Sequence, residues 1–244
     1  MSAEVTNPVA AFVEEASKAG AKVYEASSAE DAGVCLLKMI QEKNVKTAVK
    51  SKSEIANTIK LRERLAKEGI SIVETDLKEW LSQLSGDKPS GKKTIGYMQE
   101  LISEATGQKL DNEPRALLDA ANLFLRQRCV EADLGISEAS AAIAETGSLV
   151  VAGNEGVTRL VAVLPRIHVT LVEGNNVVSS LEDVFGKIQT SNPSSTGQVM
   201  PAYITYITGR NTTADIPGAV LARAQGPAEE YIIVINKPVK RGAE

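Results

Sequence analysis

Cysteine and histidine are nearly missing from these 244 residues: Cys35 and Cys129 are the two thiols and His168 is the one imidazole. A cysteine-ligated iron–sulfur cluster needs about four thiolates, so this chain alone cannot hold one. A cysteine-rich zinc site fails on the same count. Cys35 stands among Leu36, Leu37 and Ile40, and Cys129 follows a helical run. Both read as buried structural thiols, which suits a reducing cytosol. Aromatics make up 4% of the chain, so Ala, Val, Ile and Leu must do most of the packing. No apolar run approaches the ~18 residues of a membrane span. The start, MSAEVTNPVAAFVEEA, is acidic and amphipathic and has none of the basic-then-apolar order of a secretory signal. A cytoplasmic location is the expectation. With a net charge of −4 and no basic stripe interleaved with aromatics, nucleic acid is not an expected partner. There is no internal repeat. No GxGxxG occurs, which removes a Rossmann dinucleotide site.

What is present is ordinary globular composition, 43% hydrophobic and 24% charged, in a chain long enough to bury a sizeable core. Asn7-Pro8 reads as a helix cap and first turn, closed by Gly20. A strand over 21–26 follows, then a helix opened by Ser28 with Asp31 and running to about Lys43. The pattern continues with a strand over 45–49, a helix over about 54–68 and a strand over 70–75. A helix over 76–84 and a loop over 85–96 come next. Residues 97–132 are helical, with Pro114 near a helix start. The second half is richer in strands, at 148–153, 166–172, 202–209 and 230–236. A helix capped by Ser180 with Asp183 and a polar loop over 190–198 lie between the second and third of these. Alternating strands and helices with short links predict an α/β fold, an open, mainly parallel sheet covered by helices.

Chemistry-bearing residues gather where apolar runs end. Lys50-Ser51-Lys52-Ser53 lies between a strand and a helix. Two ammoniums, two hydroxyls and the free N–H groups of a helix start suit an anion, and a solvated turn with a serine cap is the plainer account. Glycines for a Walker loop are lacking. The stretch 144–172 holds Glu145, Thr146 and Ser148, then Asn154 and Glu155 in a Gly-flanked turn, then Arg159 and His168. Glu145 beside hydroxyls reads either as a base or as part of a capped turn. The Asn154-Glu155 turn needs no function to explain it, and it equally aims a carboxylate into a crevice. A lone histidine beginning an apolar strand reads as a hydrogen-bonded core residue or as a catalyst. Arg210, Thr212 and Asp215 follow a strand end, where Arg210 is able to clamp a carboxylate or phosphate.

The segment AIAETGSLVVAGNEGVTRLVAVLPRIHVTLVEG, then SLEDV, resembles the LUD domain family of lactate utilization proteins. VKSKSEIANTIKLRERLAKEGISIVETDLKEWLSQL and ITGRNTTADIPGAVLARAQGP are similar to further signatures of that family. The likeness is strongest over 45–237, with 1–44 as a helical and strand extension of one domain spanning 1–244. The resemblance implies a fold like that of sugar-phosphate isomerases and CoA transferases. It also implies a role in oxidising L-lactate to pyruvate as part of an iron–sulfur-containing, multi-subunit electron-transfer system. The cysteine-clustered, ferredoxin-like region of lactate utilization protein B is lacking from these residues, so the clusters are expected on partner subunits, with no cofactor on this chain. A homo-oligomer stays open. The expected crevice takes a small anionic ligand on Lys50, Ser51, Lys52, Ser53, Thr146, Asn154, Arg159, Arg210, Thr212 and Asp215. Glu145, Glu155 and His168 are the candidates for proton transfer. The rival expectation is a stand-alone CoA transferase or isomerase-like enzyme with Glu155 as the nucleophile.

Overall fold

A computed structural model describes residues 7–86, 94–191, 200–210, 212–213, 221–222 and 226–239. The expected loops over 85–96 and 190–198 fall partly outside these residues, and Asp215 falls wholly outside them. The first half of the chain runs α1 (Pro8–Lys18), β1 (Lys22–Ala26), α2 (Ala29–Glu42), β2 (Thr47–Lys50), α3 (Glu54–Thr58), α4 (Leu61–Lys67), β3 (Ser71–Glu74) and α5 (Leu77–Leu84). Next come α6 (Ile95–Thr106), α7 (Pro114–Glu131), β4 (Leu134–Glu138), β5 (Ala141–Ile143), β6 (Ser148–Gly153), α8 (Val157–Val163) and β7 (Ile167–Glu173). Last are β8 (Val177–Val178), α9 (Leu181–Ser191), β9 (Tyr203–Ile207), β10 (Thr212–Thr213), β11 (Leu221–Ala222) and β12 (Glu229–Ile235).

Local chemistry sets several boundaries. The Asn7 side chain accepts from the Ala10 N–H at 3.2 Å, and Pro8 occupies the first helical turn, where its missing N–H costs nothing. Ser28 caps α2 through the Asp31 N–H at 3.2 Å. Gly107, at φ +68°, ends α6, and Pro114 opens α7, so the helical run over 97–132 is two helices. The helix expected over 54–68 is also two. Lys60 adopts φ +50° between α3 and α4, and the turn there returns Leu61 and Leu65 to the core already occupied by Ile55 and Ile59.

The six-stranded sheet is parallel throughout, in the order β1-β12-β7-β4-β2-β3. Side chains alternate between its faces. On one face, Ile136, Val169, Leu171 and Ile233 pack against α2, α3 and α4. On the other, Val172, Ile232 and Val234 meet α1 and β6, while Val49 meets α5, α7 and α8. A second sheet, β8-β5-β6-β9, takes in two strands that periodicity had pointed to, at 148–153 and 202–209. It also takes in the short β5, which periodicity did not suggest. Gly135 shows how tightly the layers fit: a Cβ there would lie 1.9 Å from the Val161 carbonyl oxygen of α8.

Candidate functional site

The carboxyl ends of β2, β3 and β4 put polar groups at one edge of the sheet, where open α/β folds hold ligands. Lys50 and Glu74 are register partners, the last residues of β2 and β3, and point to the same face. Lys50 is only 1% exposed. Its Nζ lies 2.8 Å from Glu74 Oε2, 3.1 Å from Glu79 Oε2, 3.3 Å from Asn57 Oδ1 and 3.3 Å from the Ser51 carbonyl. Asn57 Nδ2 donates to Glu79 Oε1 at 3.0 Å. Asp76 caps α5 through the Glu79 N–H at 3.0 Å, which sets the Glu79 side chain over Lys50. Burial, only partly offset by Lys50 and reinforced by the neighbouring Glu79, pushes the Glu74 carboxyl up to about 7. Burial also acts to raise Glu79, but Lys50 and Asn57 outweigh it and hold that carboxyl below its ordinary range. The three side chains therefore form an ion pair, Lys50 with Glu79, beside a carboxyl that exchanges its proton near neutrality. Together with Lys60, Arg62, Glu63 and Ser82 they line a cavity of about 250 Å³.

The lysine–serine loop is filled by the protein's own acids. Ser53 accepts from the Ala56 N–H at 3.0 Å and donates to Glu138 Oε2 at 2.8 Å. The same Glu138 oxygen accepts from the Ile55 N–H at 3.0 Å. Glu138 thus occupies the helix start where an outside anion was expected. Ser51 and Ser53 are buried and Lys52 is exposed. Half-buried Glu155 accepts from the Leu77 N–H at 3.3 Å. Burial and then Asp76 raise its carboxyl, while the Leu77 N–H and Lys52 act in the opposite direction. Lys50, Ser51, Lys52, Ser53 and Glu155 therefore share the neighbourhood of β2 and the start of α5.

The other expected residues do not converge there. Glu145 is exposed and accepts from the Leu181 N–H at 3.3 Å, at the start of α9. Thr146 donates to Ser148 Oγ at 2.8 Å, and that hydroxyl meets Thr208 Oγ1 at 2.7 Å. Asn154 accepts from the Ala202 N–H at 3.0 Å, and Arg159 lies 5.1 Å from the Tyr203 ring centroid. Arg210 is exposed and lies against Gly20, just before β1, at the amino ends of the strands. Thr212 is exposed in β10. His168 is sealed inside the core, with Nε2 2.9 Å from Ser137 Oγ and Nδ1 2.8 Å from Glu230 Oε2. The single crevice expected of these residues is thus several separate places. The reason is topological: 144–172 crosses from the small sheet through α8 into the middle of the large sheet.

Asn57, Glu74, Glu79, Glu138, Ser137 and Glu230 escaped the sequence reading. The ETDLKE run holds two of them, but only the pairing of β2 with β3 reveals that its first acid meets Lys50. Cys35 on α2 and Cys129 on α7 belong to cores on opposite faces of the sheet, and burial pushes the Cys129 thiol up to about 12. Among the described residues no group of three His, Cys, Asp or Glu side chains is arranged to hold a metal ion. Among the same residues no helix is long and apolar enough to cross a membrane.

Residues 9–235 match the family described as LUD domain. Lactate utilization protein B of Bacillus subtilis (strain 168) is 33% identical over 232 residues, which is 92% of this chain and 47% of that protein. The Bacillus licheniformis protein of the same name is 31% identical over 92% of this chain and 47% of its own length. That of Oceanobacillus iheyensis is 30% identical over 91% and 46%. The chain thus spans about half the length of these curated relatives. A crystal structure of a DUF162 family protein from Deinococcus radiodurans superposes with a TM-score of 0.49, at 13% identity, over 93% of this chain and 96% of that one.

Proposed function

The chain belongs to the LUD domain family, and from that membership we propose that it works in lactate utilization. The observation that carries this reading is the 33% identity to Lactate utilization protein B of Bacillus subtilis across 92% of the chain. In this reading the protein is a cytoplasmic subunit of a lactate-oxidising, electron-transferring complex. It handles a small anionic ligand at the Lys50 end of the sheet. The iron–sulfur centres belong to partner subunits, an assignment favoured by two cysteines set on opposite faces of the sheet. The fold likeness to CoA transferases and sugar-phosphate isomerases is part of the same proposal.

The test is affinity purification from native cells, with iron analysis, visible spectra and lactate-dependent reduction of an acceptor dye. The expected result is an iron-containing partner and dye reduction that needs this chain. A chain that purifies without any partner, from cells whose lactate oxidation survives its deletion, would sink the reading.

One observation favours a second reading, acyl transfer by this chain alone. Glu155 is a half-buried carboxylate in a Gly-flanked turn, beside Lys52 and the start of α5. A carboxylate so placed suits nucleophilic attack on a thioester. Transfer of CoA from an acyl-CoA to a second, free carboxylate, which yields the new acyl-CoA and frees the first acid, abolished by Glu155→Gln, is its signature. No turnover by the unaltered chain rules it out.

A further inference from the structure

α7 carries apolar side chains on two opposite faces. Leu117, Ala121, Leu125 and Cys129 recur every fourth residue and are buried in the core that α7 shares with α5, α6 and α8. At about 100° per residue, Ala116, Leu123 and Val130 share one line along the far side of the helix. Leu123 is 65% exposed, more than any other large apolar side chain among the described residues, and Val130 is 51% exposed. A spacing of seven residues is two helical turns, the repeat on which one helix packs against another.

The side chains beside this line decide what fits it. Asp119 and Arg126, also seven residues apart, run along one flank, and both are exposed. Asp119 lies 3.1 Å from Arg115 Nε, one turn back on the same flank. The other flank has Ala120 and Gln127 at the same levels, without charge. Glu131, at its end, is held within the chain by Arg128 at 3.0 Å and Gln127 at 2.8 Å.

We propose that this face of α7 pairs antiparallel with the same face of a second copy of the chain, about a twofold axis beside Leu123. Leu123 then meets Leu123 of the second copy. Val130 and Ala116 lie equally far to either side of it, so each valine meets the other copy's alanine, large against small. Asp119 comes four residues before Leu123 and Arg126 three after it. Reversing one helix brings this acid and this base to within one residue's rise, about 1.5 Å, on the same flank. The twofold axis makes that contact twice, acid to base both times. A parallel pairing would instead set the charged flank against Ala120 and Gln127 and leave it unmatched. The seam is one helix wide and about 27 Å long for its eighteen residues. That is less than a permanent dimer buries, so the pairing is weak and depends on concentration. It does not rest on the lactate reading.

The experiment is sedimentation equilibrium of the full 244-residue chain, from about 1 µM to about 500 µM. Monomer should give way to dimer across that range. Asp119→Arg sets arginine against arginine at both contacts, and Arg126→Asp sets aspartate against aspartate. Each should weaken the dimer by more than about tenfold. An equimolar mixture of these two variants should recover it as a heterodimer, because both contacts are then acid to base again. That recovery also shows that both variants fold. Leu123→Asp should weaken the dimer as strongly, whereas Leu118→Asp, exposed on the same helix but off the line, should leave it unchanged. An unaltered chain that stays monomeric at every concentration overturns the proposal, whatever other protein covers the face. So does a dimer that survives either charge reversal, or a mixture of the two variants that stays monomeric.

Discussion

His168 and Glu230 are direct register partners on β7 and β12, and both are sealed from solvent. Nδ1 lies 2.8 and 3.0 Å from the two carboxylate oxygens, while Nε2 meets Ser137 on the neighbouring strand. Thr170 donates to the same carboxylate at 3.3 Å. The geometry has the order of a serine–histidine–acid relay, but no reactant reaches it, so its present work is to lock three strands together. His168→Ala should cost about 1–3 kcal/mol, since it leaves the buried Glu230 carboxyl and Ser137 hydroxyl without their shared partner. Replacing both members, His168→Leu with Glu230→Met, should recover most of that loss. Urea unfolding of the single and double variants checks this, and an unchanged midpoint in His168→Ala would count against it.

Glu74 ties stability to pH. Its carboxyl is raised from 4.5 to about 7 in the folded chain. The stabilisation linked to its proton is full below the unfolded value and is lost as pH climbs through about 7. Melting curves across that window should fall for the unaltered chain and flatten in Glu74→Gln. A slope that the substitution leaves intact would assign the effect to another group.

Glu229 has the opposite sign. Burial acts to raise its carboxyl, but Lys22 at 2.8 Å, Lys43 at 2.6 Å and the Tyr231 hydroxyl at 2.9 Å outweigh it and hold it at about 2. Its contribution is present above the ordinary 4.5 and disappears as pH falls towards about 2. Glu229→Gln should therefore be less stable than the unaltered chain at neutral pH, and the two should converge in strong acid. Added salt should narrow the neutral gap, because Lys22 is largely exposed.

Gly147 has φ +63°, and a Cβ there would lie 2.2 Å from the Ala16 backbone nitrogen of α1. Gly147→Ala should lose about 1–3 kcal/mol to the clash, with left-handed strain added. Gly96→Ala, on α6 with nothing within 4 Å, should instead gain about 0.4–1 kcal/mol. Thermal melts of the two variants should move in opposite directions.

The parts of this fold that were legible in the sequence are those written by neighbours in the chain. Asn7-Pro8, Ser28 with Asp31, and Ser53 announce helix starts because a cap acts across three residues. LGISE, at 134–138, is hidden in the sequence because only Ala132 and Asp133 separate it from an eighteen-residue helix. The kink at Lys60 carries no glycine or asparagine to mark it. At the site, Lys50 stood out, but its partner Glu74 is 24 residues on, and strand order alone makes them neighbours. Glu230 is 62 residues from His168, so the partner that fixes the histidine was equally out of sight.

Among the described residues β1 has a single neighbour in the large sheet, and that neighbour is β12. Lys22 pairs with Tyr231 and Ala26 with Ile235, so this strand has its place completed by residues 209 positions further along the chain. Until residues 229–235 emerge, β1 has nothing to bond to and β7 presents an open edge. All the residues between these two strands are therefore synthesised before the central sheet can close. Such distant pairings make folding slow and leave strand edges exposed meanwhile.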